Sequence, residues 1–271
     1  MQMWCRAWIL LPLAFVAVIA STTVGCRATD AQQAAAATHQ SRDYGQLAAR
    51  WAEWRARLQQ VRTIVADETT APDVKVGSII AMLREEIATP FDARGVPALE
   101  SGLSLGEHLE VAYMYSLGEL RVPEILWGRL KALDVHKDTP EEVKALQKRL
   151  LVAFAMAYNR SPSNTLADAR LAATRELAQI IASDPYDFIR AYAARALGFL
   201  QAKDEAASAL IRALDDTAFR DVTGLQGIGY PGQSSEVYLV RREAAMALKR
   251  MGYNVERTGE NTWEVKETAP R

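Results

Sequence analysis

Few residues of this chain are equipped for chemistry. Two cysteines, Cys5 and Cys26, stand near the N-terminus, and three histidines, His39, His108 and His136, lie in separate segments. His108 sits in Gly106-Glu107-His108-Leu109-Glu110-Val111. It has no second histidine four residues away, so it cannot form the two-ligand helix face that H-E-x-x-H provides for zinc. A surface histidine is the expectation. There is no Gly-x-Ser-x-Gly elbow, and no cysteine is placed beside a histidine that could activate it. Glu85-Glu86 and Glu141-Glu142 are adjacent in sequence, so on a helix each pair diverges. They read as capping groups and solvated faces, not as an acid/base pair. Gly224, Gly227 and Gly229 lack the G-x-G-x-x-G order and follow a helix, which argues against a phosphate cradle. The expectation is a non-enzyme with no catalytic residue, no metal and no cofactor. Scattered carboxylates remain the one catalytic option left open.

The elements that could position a binding surface come next. A net charge of -1 argues against a nucleic-acid partner, which usually meets a basic excess. With 49% apolar residues over 271 positions, the chain can bury one large core or two small ones. Arg6 is the only charge before the apolar run Trp8 to Ala20. That run suits the h-region of a signal peptide and is short for a membrane span. A short uncut anchor helix is the alternative. Residues 27–40, RATDAQQAAAATHQ, carry no large apolar side chain, so 26–40 is expected to be a flexible tether.

Beyond the tether the apolar spacing is helical. Tyr44, Leu47, Trp51, Trp54, Leu58, Val61 and Val65 recur at steps of three and four, a narrow seam on one helix. Arg50, Arg55, Arg57 and Arg62 flank that seam and disfavour self-pairing. The seam is expected to pack on the rest of the chain or on an acidic partner. A second helix is expected from Asp73 to Ala88, then a loop over 91–103. Thr139 reads as an N-cap, with Pro140 at the first position and Glu142 closing a capping box. That helix should run to about Tyr158, and another should follow the Ser161–Asn164 break to about Ala182. Asp184, with Pro185 after it, should cap the next. Val255–Arg257 and Thr262–Val265, around Gly259, read as a small C-terminal β-hairpin carrying Trp263.

Two stretches match one another. Ile189–Leu200 reads IRAYAARALGFL and Val240–Met251 reads VRREAAMALKRM. Arg190, Ala193, Ala194, Ala196 and Leu197 fall on Arg241, Ala244, Ala245, Ala247 and Leu248. Small residues on one helix face let a neighbour approach, and repeating the face lets copies stack. Between them, AASALIRALDD at 206–216 supplies a second helix through Leu210, Ile211 and Leu214. A weaker copy lies upstream, where SLGEL at 116–120 aligns with ALGFL and RLKALD at 129–134 with LIRALD.

This pattern resembles the short HEAT-like repeat named after the phycobilisome lyases, over about 70 residues from Asp184 to Gly252. The resemblance implies an all-α fold, a HEAT-like α-solenoid of stacked helix pairs. It also implies a hydrogen-bonded structural ladder in which Asp184 and Arg190 serve one copy and Asp216 and Arg241 the next. The family spaces its Asp and Arg about six residues apart, whereas here an insertion separates Asp216 from Arg241. Its Leu225, Ile228, Tyr230 and Tyr238 are candidate partner contacts. The alternative is that the loop folds back over the end of the array.

Thr23-Val24-Gly25-Cys26 resembles a bacterial lipobox, with Thr23 where the family prefers Leu. The resemblance implies cleavage after Gly25 and lipidation of Cys26 on sulfur, an anchor of the palmitate kind. Arg27, where an aspartate would favour the inner membrane, leans toward the outer one. The expected organisation is a signal peptide over 1–25, the tether over 26–40, an N-terminal helical region over 41–103, the HEAT-like region over 104–252, and a hairpin and tail over 253–271. The expected function is a protein-binding scaffold, exported and held on the cell membrane or outer membrane by its lipid. Its mature domain would be extracytoplasmic and its partner another envelope protein. Two other readings stay open. One is a helical protein lying on the membrane surface through Trp51, Trp54 and the arginine row. The other is a lyase-related accessory factor.

Overall fold

The computed structural model of the chain describes residues 30–91, 103–221 and 236–266, the side chains of 30–44, 204 and 221 excepted. The expected signal peptide, Cys26, and Leu225, Ile228 and Tyr230 lie outside the described residues. The chain divides into two compact units, 1–45 and 46–271.

The fold is predominantly helical. The first helix, α1 (Asp30–Ala66), spans the unit boundary. It begins inside the stretch expected to be a flexible tether. Alanine accounts for the difference, since Ala31 and Ala34–Ala37 lose almost no side-chain entropy in a helix.

Within the second unit, the α1 seam packs inward. Leu58 and Val61 are buried, and Trp51, Trp54 and Val65 pack half-buried against the core. Next comes α2 (Pro72–Ala88), with proline in its first turn and a buried stripe of Val76, Ile79, Ile80 and Leu83 at helical spacing. The third helix, α3 (Leu105–Glu119), is closed by a capping box. Ser104 Oγ accepts from Glu107 N at 3.2 Å, and Glu107 Oε2 accepts from Ser104 N at 2.8 Å. After α4 (Pro123–Lys131), α5 (Glu141–Arg160) starts at Glu141 without a side-chain cap. The expected box at Thr139 does not form, because Thr139 Oγ1 accepts from His136 N at 2.8 Å and leaves the helix N-terminus uncapped. A short 3-10 turn (Asn164–Leu166) leads into α6 (Ala167–Ser183).

The matching stretches then form α7 (Asp187–Leu200) and α9 (Leu239–Arg250), with α8 (Lys203–Ala213) between them. Ala206, Leu210, Ala213 and Leu214 bury the inner side of α8, while Ile211, expected in that face, points outward. Two strands of the insertion, β1 (Arg220–Asp221) and β2 (Glu236–Val237), pair antiparallel. So do β3 (Asn254–Arg257) and β4 (Trp263–Lys266), with Val255 opposite Val265.

Helices α3, α5, α7 and α9 pack each on the next, and α4, α6 and α8 lie against them. Two glycines set the closest approaches. A Cβ on Gly198 would stand 2.8 Å from Ala247 Cα, and one on Gly118 would stand 2.6 Å from Met156 Cβ. Gly118 and Gly198 are the glycines of SLGEL and ALGFL, so in both stretches the same position admits the next helix. The stretches also end alike, in left-handed backbone at Arg121 (φ 57), Gln201 (φ 52) and Gly252 (φ 86). That conformation stops a helix by turning its last carbonyls away from further turns.

Candidate interaction surface

The described histidines and paired glutamates do not converge. His108 is half-buried, not at the surface as expected, because Trp54 of α1 covers it with ring centroids 5.2 Å apart. Burial lowers its pKa, and the charge of Arg62 adds to the effect. His136 is exposed, with Nδ1 3.2 Å from Thr139 Oγ1. Glu86 turns into the core, where it accepts from Arg57 Nη1 at 3.0 Å and from Phe91 N at 2.6 Å. Burial pushes its carboxyl up. Glu85 faces solvent. Glu141 and Glu142 are both exposed, and Glu141 pairs with Lys144 at 2.9 Å. Among the described residues no group of three or more His, Cys, Asp or Glu could hold a metal ion.

What the fold does assemble is a ladder of charge along the starts of the helices. Asp184 and Asp216 open the same turn. Asp184 Oδ1 accepts from Tyr186 N and Asp216 Oδ1 from Ala218 N, each at 2.9 Å. Each carboxylate is also gripped by a cation from earlier in the chain. Lys148 Nζ donates to Asp184 Oδ2 at 2.6 Å. Arg190 donates twice to Asp216, from Nε to Oδ2 at 2.9 Å and from Nη2 to Oδ1 at 3.0 Å. Each arginine also reaches the main chain of its own aspartate, Arg190 Nη1 to Asp184 O at 2.8 Å and Arg241 Nε to Asp216 O at 2.5 Å.

The expected side-chain pairs Asp184–Arg190 and Asp216–Arg241 are therefore corrected. Each closes through the backbone carbonyl, and the carboxylate goes to the preceding cation. Six residues of separation bring the Arg190 guanidinium beside the turn's carbonyl. The Asp184 carboxylate, held by Tyr186 N, faces Lys148 on α5. Arg241 ends the series by donating Nη1 to Asn261 O at 3.3 Å.

Beside this ladder a cleft of about 540 Å³ opens between the starts of α3, α5 and α7 and Phe91. Its wall holds a buried pair, Arg149 Nε donating to Glu110 Oε2 at 2.5 Å. Burial pushes the Glu110 carboxyl up against the pull of Arg149. Its rim carries exposed Glu142 and Tyr186, the latter with 63% of its surface open.

The stem of the insertion crosses to the same edge. Arg220 on β1 donates to both carboxylate oxygens of Glu107, at 2.6 and 2.8 Å, and to Asp187 Oδ2 at 2.6 Å. Burial raises the Asp187 pKa, but the hydrogen bonds and charge of Arg220 outweigh it and hold that carboxyl below its ordinary range. One guanidinium thus ties the insertion to the first turns of α3 and α7. Of the four expected contact residues only Tyr238 is described. It is half-buried, with its ring 4.3 Å from the Arg241 guanidinium and 5.8 Å from the Phe219 ring, and its hydroxyl donates to Glu236 at 3.0 Å. Phe219 is 52% exposed.

Sequence reasoning missed Arg220 and Glu107, which stand 113 positions apart. The S-x-x-E of Ser104–Glu107 was the available signal for the capping end alone. It also missed the pair between α7 and α9, where Arg195 Nε and Nη2 donate to Glu243 at 2.6 and 2.7 Å and Nη1 donates to Tyr115 Oη of α3. Glu243 is 2% exposed, so this pair works inside the packing and offers little to a ligand.

Trp54 turns its indole N–H to Leu105 O at 3.2 Å, and Trp51 meets it edge-on with centroids 5.3 Å apart. Both tryptophans of the arginine-flanked helix thus pack against protein. Among the described residues no helix is long and apolar enough to cross a membrane. The chain has no significant match to a family model, to a curated protein or to a solved structure.

Proposed function

We propose that this chain is a lipid-anchored, non-catalytic scaffold of the bacterial cell envelope, built as a HEAT-like α-solenoid, that binds another protein along the edge formed by the helix starts. The observation that carries the reading is the cleft of about 540 Å³ beside the Asp/Arg ladder, with open Tyr186 on its rim. Sites of protein contact favour such aromatic anchors with polar surroundings. The paired helices, the shared glycine position and the shared left-handed stops support the stacked-repeat part of the reading. The apolar run before Cys26 supports the anchor.

The test is crosslinking in cells followed by pull-down of the full chain. Tyr186→Ala and Phe219→Ala should each weaken recovery of the partner while leaving the melting temperature within a few degrees. Shortening 222–236 to a brief Gly/Ser turn reports separately on the insertion. A folded chain that loses its partner supports a contact there, and a chain that melts much lower marks the insertion as a cap. Cys26→Ser should move the protein out of the membrane fraction and stop acyl labelling. A variant that stays uncleaved and membrane-bound would replace the lipid anchor by a plain hydrophobic one.

A further inference from the structure

The last helix of the matching stretches carries more cation than its surroundings neutralise. In α9, Arg241, Arg242, Lys249 and Arg250 share the helix with one acid, Glu243. Arg241 is taken up by the carbonyls of the ladder. Glu243 is taken up by both donors of Arg195 on α7, whose guanidinium lies 5.1 Å from the Tyr192 ring centroid. Arg242 Nε reaches the same carboxylate at 3.3 Å, as a second cation on one oxygen. Arg250 lies over the Phe199 ring at 4.8 Å and has no carboxylate or hydrogen-bond partner among the described residues. Burial, and then the charge of Arg195, hold its pKa below the ordinary value. Three guanidiniums therefore crowd one carboxylate that is itself buried. Other arginines in the packing stand differently. Arg149 has Glu110 to itself, Arg190 has Asp216, and Arg220 has both Glu107 and Asp187.

Arg242, Met246 and Arg250 stand four residues apart and so fall on one stripe of the helix. The stripe is open, with Met246 40% and the Arg242 side chain 41% exposed. We infer that it docks an acidic helix of a partner protein, with one carboxylate on Arg242, one on Arg250 and an apolar side chain between them on Met246. The two arginines are eight residues apart, about 12 Å along the axis. They also rest on different neighbours, Arg242 on Glu243 and Arg250 over Phe199, which suits two anionic groups better than one. A partner helix with acids at i and i+8 and an apolar residue at i+4 repeats that spacing. Each guanidinium then donates charge-assisted hydrogen bonds to a carboxylate. The carboxylate on Arg250 also offsets the like charge of Arg195 beside it. A helical partner uses its backbone groups internally, as α9 does, so neither needs main-chain pairing. The stripe favours protein over lipid as well, because a bilayer rewards a broad apolar face and Met246 is a single residue. The inference goes beyond the scaffold reading and rests on different residues, so its failure would leave that reading standing.

A fluorescein-labelled, alanine-rich helical peptide with two glutamates eight residues apart and a leucine midway, titrated into the full chain and read by anisotropy, tests the site. One saturable equivalent is expected. Arg242→Gln and Arg250→Gln should each weaken binding about tenfold, the scale of one hydrogen bond to a charged group. Both side chains are at the surface, so the melting temperature should stay within a few degrees of the parent. Met246→Ala should weaken binding severalfold through lost apolar contact. A peptide of the same composition with its glutamates five residues apart places them on different faces and should bind about tenfold more weakly. Equal binding of the two peptides, arginine variants that bind like the parent, or the lack of a saturable complex would each overturn the proposal. So would displacement of the peptide by phosphatidylglycerol vesicles, which would give the stripe to a lipid surface.

Discussion

Arg190 and Arg241 hold the same place in two matching stretches, yet they close differently. Both donate to the carbonyl of the aspartate before them. Arg190 then spends its remaining donors on the carboxylate of Asp216, with side chains 14% exposed on both sides. Arg241 has no further aspartate ahead of it and finds Asn261 O near the β3–β4 turn and the ring of Tyr238. The difference shows what the arginine is for. Its bond to the carbonyl fixes its own turn, and its bond to the carboxylate joins one helix pair to the next. Where the series stops, only the first of these survives.

The largest expected effect breaks that distinction at its strong member. Arg190→Met leaves the part-buried Asp216 carboxylate without its guanidinium and should cost about 2–3 kcal/mol. Arg241→Met removes bonds to carbonyls and the contact with the Tyr238 ring, leaves no buried carboxylate unpaired, and should cost about 1 kcal/mol. Urea unfolding of the two variants measures both, and equal losses would mean that the carboxylate bond adds nothing. A double-mutant cycle sharpens the point. Arg190 and Asp216 should couple by about 1–2 kcal/mol, while Arg190 and Asp184, whose carboxylate serves Lys148, should be additive within roughly 0.5 kcal/mol. Coupling of similar size in both cycles would restore the direct Asp184–Arg190 pair.

A smaller effect concerns the insertion stem. Asp187 is held below the ordinary carboxylate range by Arg220. A depressed folded pKa contributes stability above the unfolded pKa, about 3.9 for aspartate, and loses it as pH falls through the folded value. In Arg220→Met the hydrogen bonds and charge that hold Asp187 down are lost, leaving only the Phe188 N–H and the charge of Arg190 against burial, so acidification removes less stability there. The stability gap between parent and variant should therefore be widest above about pH 4 and narrow below it. Unfolding midpoints at neutral and acid pH read the gap directly, and a gap independent of pH would mean that Arg220 does not set the Asp187 titration.

How much of this was legible in sequence differs by the range of the interaction. Helices α2 and α5 through α9 follow from local apolar spacing and from proline and glycine punctuation, which act within a few residues. The residues of the ladder were legible too, because Asp184, Arg190, Asp216 and Arg241 lie in stretches that match. Their partners were not. Spacing along a chain suggests that Asp184 meets Arg190, but which cation faces a carboxylate depends on how α5 and α7 are stacked. The same holds for Glu107 with Arg220 and for Trp54 over His108, contacts between segments that share no motif. The start of α1 was missed for another reason: composition without large apolar side chains says that a segment buries nothing, and alanine can still build a helix that buries nothing.

The smallest effect tests whether the ends of the matching stretches are equivalent. Gln201 and Gly252 follow the last residues of Leu200 and Met251, and both take left-handed backbone, at φ 52 and φ 86. A side chain at such a φ crowds the neighbouring carbonyl, whereas glycine adopts it freely. Gln201 is exposed, and its side chain makes no hydrogen bond among the described contacts. Gln201→Gly should therefore relieve strain without losing a contact. Its greater freedom in the unfolded chain offsets part of the gain, leaving a net stabilisation of about 0.5 kcal/mol. Gly252→Ala runs the other way. It imposes the strain and should destabilise by about 1 kcal/mol. Opposite signs in paired thermal melts would make the two positions the same stop filled by different residues. If Gln201→Gly also destabilised, the end of α7 would be held by its side chain and not by its backbone.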